Sequence, residues 1–371
     1  MTPPREQSGP SLSIIVPTFN ELDNVRPLVS ELSQCLKDID WEVIFVDDDS
    51  PDGTASAVRE LACEWNRVRC IQRIGRRGLS SACVEGMLGS CAPFVAVMDG
   101  DLQHDPAIIP AMFECVANSS TELVVGSRYT EGGSTGDWDW RRSLVSRLAT
   151  RLGHILVPDT LKDPMSGFFM LRRSLLDEVA HKLSGFGFKI LLDIFASARR
   201  PVGFREVPFK FRLRHAGASK LDSMVAWEYL MLLGDKLFGA YVPVRFLAFG
   251  TIGAMGVVLH LSIVTAAYEL ARVDFVRAQA IGTVITMVFN YSLNNLLTYR
   301  DRRRRGWRWL TGLATFLAVC SVGAIANVGV AAYVFNTEKQ WFLASIAGVL
   351  TGAVWNYAVS NIYTWGTPKS S

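Results

Sequence analysis

The feature that most limits what this chain can become is a break in its hydropathy near residue 240. Before it, short apolar runs alternate with polar turns. After it come four long apolar segments, at about 246–268, 275–299, 309–335 and 341–365. Each exceeds the roughly 20 residues needed to cross the hydrocarbon core of a bilayer. Trp307, Trp309, Trp341 and Trp365 sit near the predicted interfaces, as aromatic belts do. The loop between the second and third segments carries Arg300, Arg302, Arg303, Arg304, Arg305 and Arg308, which places it on the cytoplasmic side. Residues 1–11 are polar and lack an apolar h-region, so the N-terminal domain is expected in the cytoplasm. An even number of spans brings the C-terminal tail to the same side. The seven cysteines are scattered, with no pattern for zinc or a disulfide framework. A net charge of +3 gives no reason to expect a nucleic-acid partner.

The first part reads as an α/β domain with a Rossmann-like, mostly parallel sheet. Leu12–Val16 is a buried strand stopped by Pro17, and a helix follows to about Leu36. Trp41–Val46 is a second strand, followed by a helix at about 55–65. Val68–Ile71 is a short third strand, and Gly78–Leu88 is a helix behind the basic turn of Arg73, Arg76 and Arg77. Val95–Met98 is the fourth strand, Leu123–Tyr129 another, and Val207–Phe211 a late one. Strand–helix alternation implies right-handed βαβ units.

The fourth strand ends in Asp99-Gly100-Asp101-Leu102-Gln103. Two carboxylates and an amide then lie just past a strand's carboxyl end, where open α/β sheets bind ligands. Hard oxygen donors there suit Mg²⁺ or Mn²⁺ shared with a substrate phosphate; a solvated acidic turn is the plainer alternative. Glu21 and Asp48 end two other strands, and parallel topology brings all three ends to one edge. Neither GxGxxG nor GxxxxGK[ST] is present, so any nucleotide must be held by carboxylates and a metal.

Two amphipathic helices are predicted outside the apolar segments. One, over 141–157, interleaves leucines with Arg147, Arg151 and His154, and suits either a membrane interface or a sheet face. The other, over 224–241, carries aromatics that suit a headgroup boundary. Within the spans, His260, Asn290, Asn294, Asn327, Asn356 and Asn361 either line a path or bond between helices beside small residues.

Pro17-Thr18-Phe19-Asn20-Glu21, Asp47-Asp48-Asp49-Ser50-Pro51-Asp52-Gly53-Thr54, Asp99-Gly100-Asp101-Leu102-Gln103-His104, Gly126-Ser127-Arg128-Tyr129 and Gly217-Ala218-Ser219-Lys220-Leu221 occur in the order found in family 2 glycosyltransferases of the GT-A fold. The chain most resembles dolichol-phosphate mannose synthases, over about residues 12–222. The C-terminal part more loosely resembles the four-span GtrA-like membrane domain. The resemblance implies a GT-A domain over 1–221, an interface helix or linker over 222–243 and a transmembrane domain over 244–371.

The resemblance also implies site roles. Pro17, Phe19, Glu21, Val46 and Asp48 would hold the donor nucleoside, with Gly100 backing the donor. Asp99, Asp101 and Gln103 would bind Mg²⁺ or Mn²⁺. Arg128, Arg142 and Ser146 would grip the acceptor phosphate. Arg214 and Lys220 would approach the donor phosphates on a mobile loop, and Asp101, Arg128 and Lys220 would carry the catalysis. Gly100 replaces the alanine common in the family, and Gly78–Ala82 has fewer glycines than usual.

The implied reaction moves mannose from GDP-mannose to a dolichyl or polyprenyl phosphate. A phosphate monoester has a second pKa near 6, so it needs no general base, and its partners should be arginines. A UDP-glucose-dependent glucosyltransferase and a transport or scaffold protein for lipid-linked sugars remain as alternatives.

Overall fold

The computed structural model describes residues 9–134, 149–184, 187, 189–198, 200–212, 223–239, 241–338 and 341–366. It divides into two compact units, Met1–Leu237 and Phe238–Ser371.

The first unit is built on a seven-stranded sheet in the order β3-β2-β1-β4-β6-β5-β7. The strands are β1 (Leu12–Thr18), β2 (Trp41–Asp47), β3 (Val68–Gln72), β4 (Phe94–Val97), β5 (Leu123–Ser127), β6 (Phe169–Arg172) and β7 (Phe204–Pro208). β6 runs antiparallel to β4 and β5, and every other pairing is parallel. β1 and β2 are buried along their whole lengths, which is why they read as continuous apolar runs rather than alternating ones. One core lies on each face of the sheet. One includes Ile15, Val46, Val97, Phe169 and Leu192, the other Ile14, Phe45, Met98, Val124 and Met170.

Two sequence expectations need correction, and one strand has no sequence signature. Pro17 does not stop β1: it pairs in register with Val46. The ladder between β1 and β4 ends at Ile15–Val97, so the N–H that proline lacks has no strand to serve on that side. β6 was not foreseen. Its four residues follow the Ser166-Gly167 turn and give too short a run to separate strand from helix. The late strand lies at Phe204–Pro208 rather than 207–211. Of the helix expected over 141–157, residues 149–153 are helical and 141–148 fall outside the described residues.

The helix Ser223–Phe238 joins the core of the first unit through Tyr229, Leu232 and Leu233. Tyr229 Oη donates to Ala149 O at 2.7 Å, and Lys236 Nζ lies 2.6 Å from the buried Asp193 carboxylate. Its Leu230, Leu237 and Phe238 stay exposed. The boundary between the units falls between Leu237 and Phe238.

The second unit is helical, with Val244–Thr265, Phe275–Leu293, Trp307–Glu338 and Trp341–Val359. Among the described residues, two stretches are long and apolar enough to cross a membrane, Val244–Leu270 and Trp307–Ala326. Val258, Leu261, Val276 and Ile325 are largely exposed, as lipid-facing side chains would be. The interior is an aromatic cluster of Phe249, Tyr291, Tyr299, Phe316 and Trp365. Two of the span asparagines, Asn290 and Asn356, pack on glycines of other helices. A Cβ at Gly256 would collide with the Asn290 amide, and one at Gly323 with Asn356. Close helix packing against small residues is the reading this favours.

Candidate active site

The carboxyl ends of β1, β2 and β4 meet on one edge, as parallel pairing requires. The turns after β1 and β2 are tied together. Asn20 N–H donates to Ser50 Oγ at 2.9 Å, Glu21 N–H to Thr54 Oγ1 at 3.1 Å and Leu22 N–H to Asp52 Oδ2 at 3.2 Å. Glu21 accepts from Asn24 Nδ2 at 2.7 Å. Phe19 stands under the Arg77 guanidinium, 4.2 Å from ring centre to cation, within cation–π range. Pro17 and Val46 are paired residues of the central strands and Val46 is fully buried, beneath this edge.

Asp48 is nearly buried. It accepts from Arg73 Nη1 at 2.6 Å and from Gly78 N–H at 2.7 Å. Burial pushes its pKa up, and the Gly78 N–H and the Arg73 guanidinium act against that rise. Gly78 has φ +147, a conformation that side chains rarely adopt. Arg73, 2% exposed, also donates to Ser81 Oγ and lies 3.2 Å from Glu85. It is a buried scaffold for Asp48, not a solvated turn residue. Sequence pattern showed its charge but not its burial.

The turn after β4 is held by unusual backbone. Leu102 has φ +62, and Asn20 and Asp49 in the other two turns have φ +57 and +58. Asn and Asp accept this region readily; a leucine there is strained and is kept only where its surroundings hold it. A Cβ on Gly100 would stand 3.3 Å from Thr18 Cγ2 and Val16 Cγ1, so this glycine packs against the end of β1. Gln103 N–H donates to Asp101 Oδ1 at 3.1 Å. Gln103 Nε2 donates to Arg212 O at 3.2 Å, and Arg212 N–H donates back to Gln103 O at 3.0 Å. The segment after β7 is thus fastened to the Asp99–Gln103 turn just before residue 213. Arg214 and Lys220 lie beyond that point, outside the described residues, as do Arg142 and Ser146.

His104 supports the turn from below. Asp99 N–H donates to its Nδ1 at 3.0 Å, and its Nε2 lies 3.7 Å from Asp99 Oδ2. It stacks on Phe168 at 5.1 Å and meets Phe209 and Phe211 edge-on. Burial lowers its pKa to about 4, with Asp101 and Asp163 pulling the other way. The ring is therefore neutral at physiological pH, with its proton on Nε2.

Arg128 follows β5. Its Nε and Nη2 each donate to the Asp163 carboxylate at 2.8 Å, and its backbone N–H donates to Asp163 Oδ2 at 3.1 Å. Asp163 is fully buried, and its own N–H donates to Glu206 at 3.1 Å. Arg128 also lies within electrostatic reach of Asp99. Asp163 escaped sequence reading because it sits in a turn before Pro164, 35 residues from its partner.

Among the described residues no three His, Cys, Asp or Glu side chains converge as a ready metal cage. The turn after β4 instead offers two carboxylates and an amide, oxygen groups of the kind that can hold an ion taking its remaining ligands from phosphate and water.

Comparison with known proteins agrees with this architecture. Residues 13–180 match the family described as glycosyl transferase family 2, and residues 248–365 match the GtrA/DPMS transmembrane domain. The chain is 31% identical to a dolichol-phosphate mannosyltransferase of Pyrococcus furiosus, over 96% of this chain and 99% of that one. It is 39% identical to a Mycosarcoma maydis protein of the same description, over 64% of this chain and 84% of that one. Among solved structures, glucosyl-3-phosphoglycerate synthase from Mycobacterium tuberculosis is similar, with a TM-score of 0.48 at 17% identity, covering 62% of this chain and 80% of that one. The chain belongs to the dolichol-phosphate mannosyltransferase family, in which a family 2 glycosyltransferase domain is joined to a GtrA/DPMS transmembrane domain.

Proposed function

We propose that this enzyme transfers mannose from GDP-mannose to the phosphate of a dolichyl or other polyprenyl lipid, with inversion, at the cytoplasmic face of a membrane. The observation that carries the reading is the division of charge at one sheet edge. Glu21, Asp48, Asp99 and Asp101 follow β1, β2 and β4, whereas a guanidinium fixed by Asp163 follows β5. A donor held by carboxylates and a metal would meet an acceptor held by arginine.

In this reading Pro17, Phe19, Glu21, Val46 and Asp48 hold the nucleoside, and Gly100 lets the donor approach the backbone. Asp99, Asp101 and Gln103 would hold Mg²⁺ or Mn²⁺. When bound, the ion neutralises charge on the diphosphate leaving group as a Lewis acid. Arg128 presents a planar fork to the acceptor phosphate, aided by Arg142 and Ser146. Arg214 and Lys220 approach the donor phosphates on the segment anchored at Gln103. The acceptor phosphate is already largely dianionic at neutral pH, so no carboxylate has to act as a base. The catalytic domain would span 1–221, the interface helix 222–243 and the membrane domain 244–371, with both termini cytoplasmic.

The test is purified full-length protein with Mn²⁺, a polyprenyl phosphate and labelled GDP-mannose or UDP-glucose. Mannosyl transfer from GDP-mannose is expected. Transfer from UDP-glucose alone would overturn the donor assignment, and transfer from neither would favour a transport or scaffold role.

A further inference from the structure

We propose that the arginine-rich loop of the second unit forms a separate anion site, which holds the phosphate head group of a membrane lipid. A cavity of about 420 Å³ opens there, walled by Ser292, Asn295, Arg303, Arg304, Arg305 and Trp309 among others. That volume falls within the roughly 300–1,000 Å³ of small-molecule sites and exceeds what a bare phosphate needs.

The walls are fixed. Asn295 is 3% exposed. Its Oδ1 accepts from Arg304 N–H at 2.8 Å, and its Nδ2 donates to Arg304 O at 3.0 Å. Trp365 Nε1 donates to the same Oδ1 at 3.2 Å. One buried amide thus grips both sides of the Arg304 backbone. Gly306, at φ +55, turns the chain into the helix Trp307–Glu338. The loop is held to one course, and three consecutive arginines line one cavity.

Among the side chains the structure describes, no carboxylate pairs with Arg303, Arg304 or Arg305. The Arg304 Nη2 reaches only a carbonyl, Tyr363 O, at 3.5 Å. Elsewhere the protein does pair such arginines: Arg200 and Arg212 each contact two carboxylates. Clustered guanidiniums, as planar forks, match the geometry of a phosphate.

The surroundings point to a lipid as the source. Trp309 lines the cavity and Trp307 beside it is 77% exposed, and indoles collect at headgroup depth. The loop joins two helices of the matched transmembrane domain, and basic pockets at such ends recognise anionic head groups.

The experiment is native mass spectrometry of full-length protein released from nanodiscs of phosphatidylglycerol and phosphatidylcholine. Retention of phosphatidylglycerol over phosphatidylcholine is expected, falling about tenfold in R303Q/R305Q and less steeply in R303K/R305K, which keeps the charge but loses the fork. Ser292→Phe, which fills the cavity with the charges intact, should also expel the lipid, and it serves if the glutamine variant does not fold. Equal retention by wild type and the variants would overturn the proposal. Millimolar inorganic phosphate should leave the lipid in place; stripping of the lipid by it would assign the pocket to free phosphate and overturn the lipid source. Because the readout is lipid retention, its failure would leave the mannosyl-transfer reading untouched.

Discussion

The Asp163 carboxylate holds one whole edge of the Arg128 guanidinium, with both bonds at 2.8 Å and the acid fully buried. This fixes the plane of the fork. Asp163→Asn keeps the shape but removes the charge and one acceptor. On the proposed reading the KM for polyprenyl phosphate should rise, with kcat/KM down as much as about 100-fold, the cost of a small misplacement. The KM for the donor should stay within about twofold. Steady-state kinetics with each substrate varied in turn decides this; a change confined to the donor would remove Arg128 from the acceptor side. Removing one partner of a buried ion pair also costs roughly 3–5 kcal/mol, so the Asp163→Ala protein should unfold at visibly lower denaturant.

Asp101 is the more deeply buried of the two turn carboxylates. Asp101→Asn should leave the fold intact, because the amide oxygen can still accept from Gln103 N–H. It should lower kcat by about 10²–10³, the usual loss when a group that stabilises developing charge is removed. Calorimetry of Mn²⁺ with GDP should show weakened ion binding in parallel. Unchanged Mn²⁺ affinity would move the metal away from this turn.

His104 makes stability depend on pH in a stated direction. Its folded pKa is about 4, lowered by burial, against about 6.5 in the unfolded chain. The unfolded state therefore binds more protons between those values, and stability falls as pH drops through that window. Its contribution is fully present above about pH 6.5 and is lost toward pH 4, amounting to about 3 kcal/mol at 1.36 kcal/mol per unit. Metal-free urea unfolding at pH 7 and pH 5, for wild type and His104→Gln, measures the part lost over that range, about 2 kcal/mol. The variant should show a flatter pH profile, and equal slopes would remove His104 as the cause.

Several of these relationships are legible in the sequence itself, and the physical reason is local. β1, β2 and β4 are buried on both faces, so each spells itself as an apolar run, and parallel topology follows from the helices between them. Glu21, Asp48 and Asp99–Gln103 could therefore be brought to one edge by counting strands. The supports of those residues could not. Asp163 reaches Arg128 across 35 residues, and Arg73 reaches Asp48 across 25. Nothing in sequence spacing separates a buried arginine from a solvated one. Gly86 was equally silent: a Cβ there would collide with Ile15 and Val46 side chains, a constraint that exists only once the helix Leu79–Leu88 lies on the sheet.

The aromatic interior of the second unit makes a contrast that stability measurements can read. Trp365 stacks on Tyr299 at 4.1 Å with the rings 6° from parallel, and on Tyr291 at 5.6 Å. It is 1% exposed, and its Nε1 donates to the buried Asn295. Trp365→Ala should cost about 3–5 kcal/mol, from lost burial and the cavity left behind. Trp365→Phe keeps much of the stack but leaves Asn295 short of a donor, so it should fall between. Trp65, which is 38% exposed in the first unit, is the matched control, and Trp65→Ala should lie within about 0.5 kcal/mol of wild type. Unfolding in detergent, followed by loss of helical signal, makes the comparison. Equal effects at the two positions would mean that the stack around Tyr299 does not hold the second unit together.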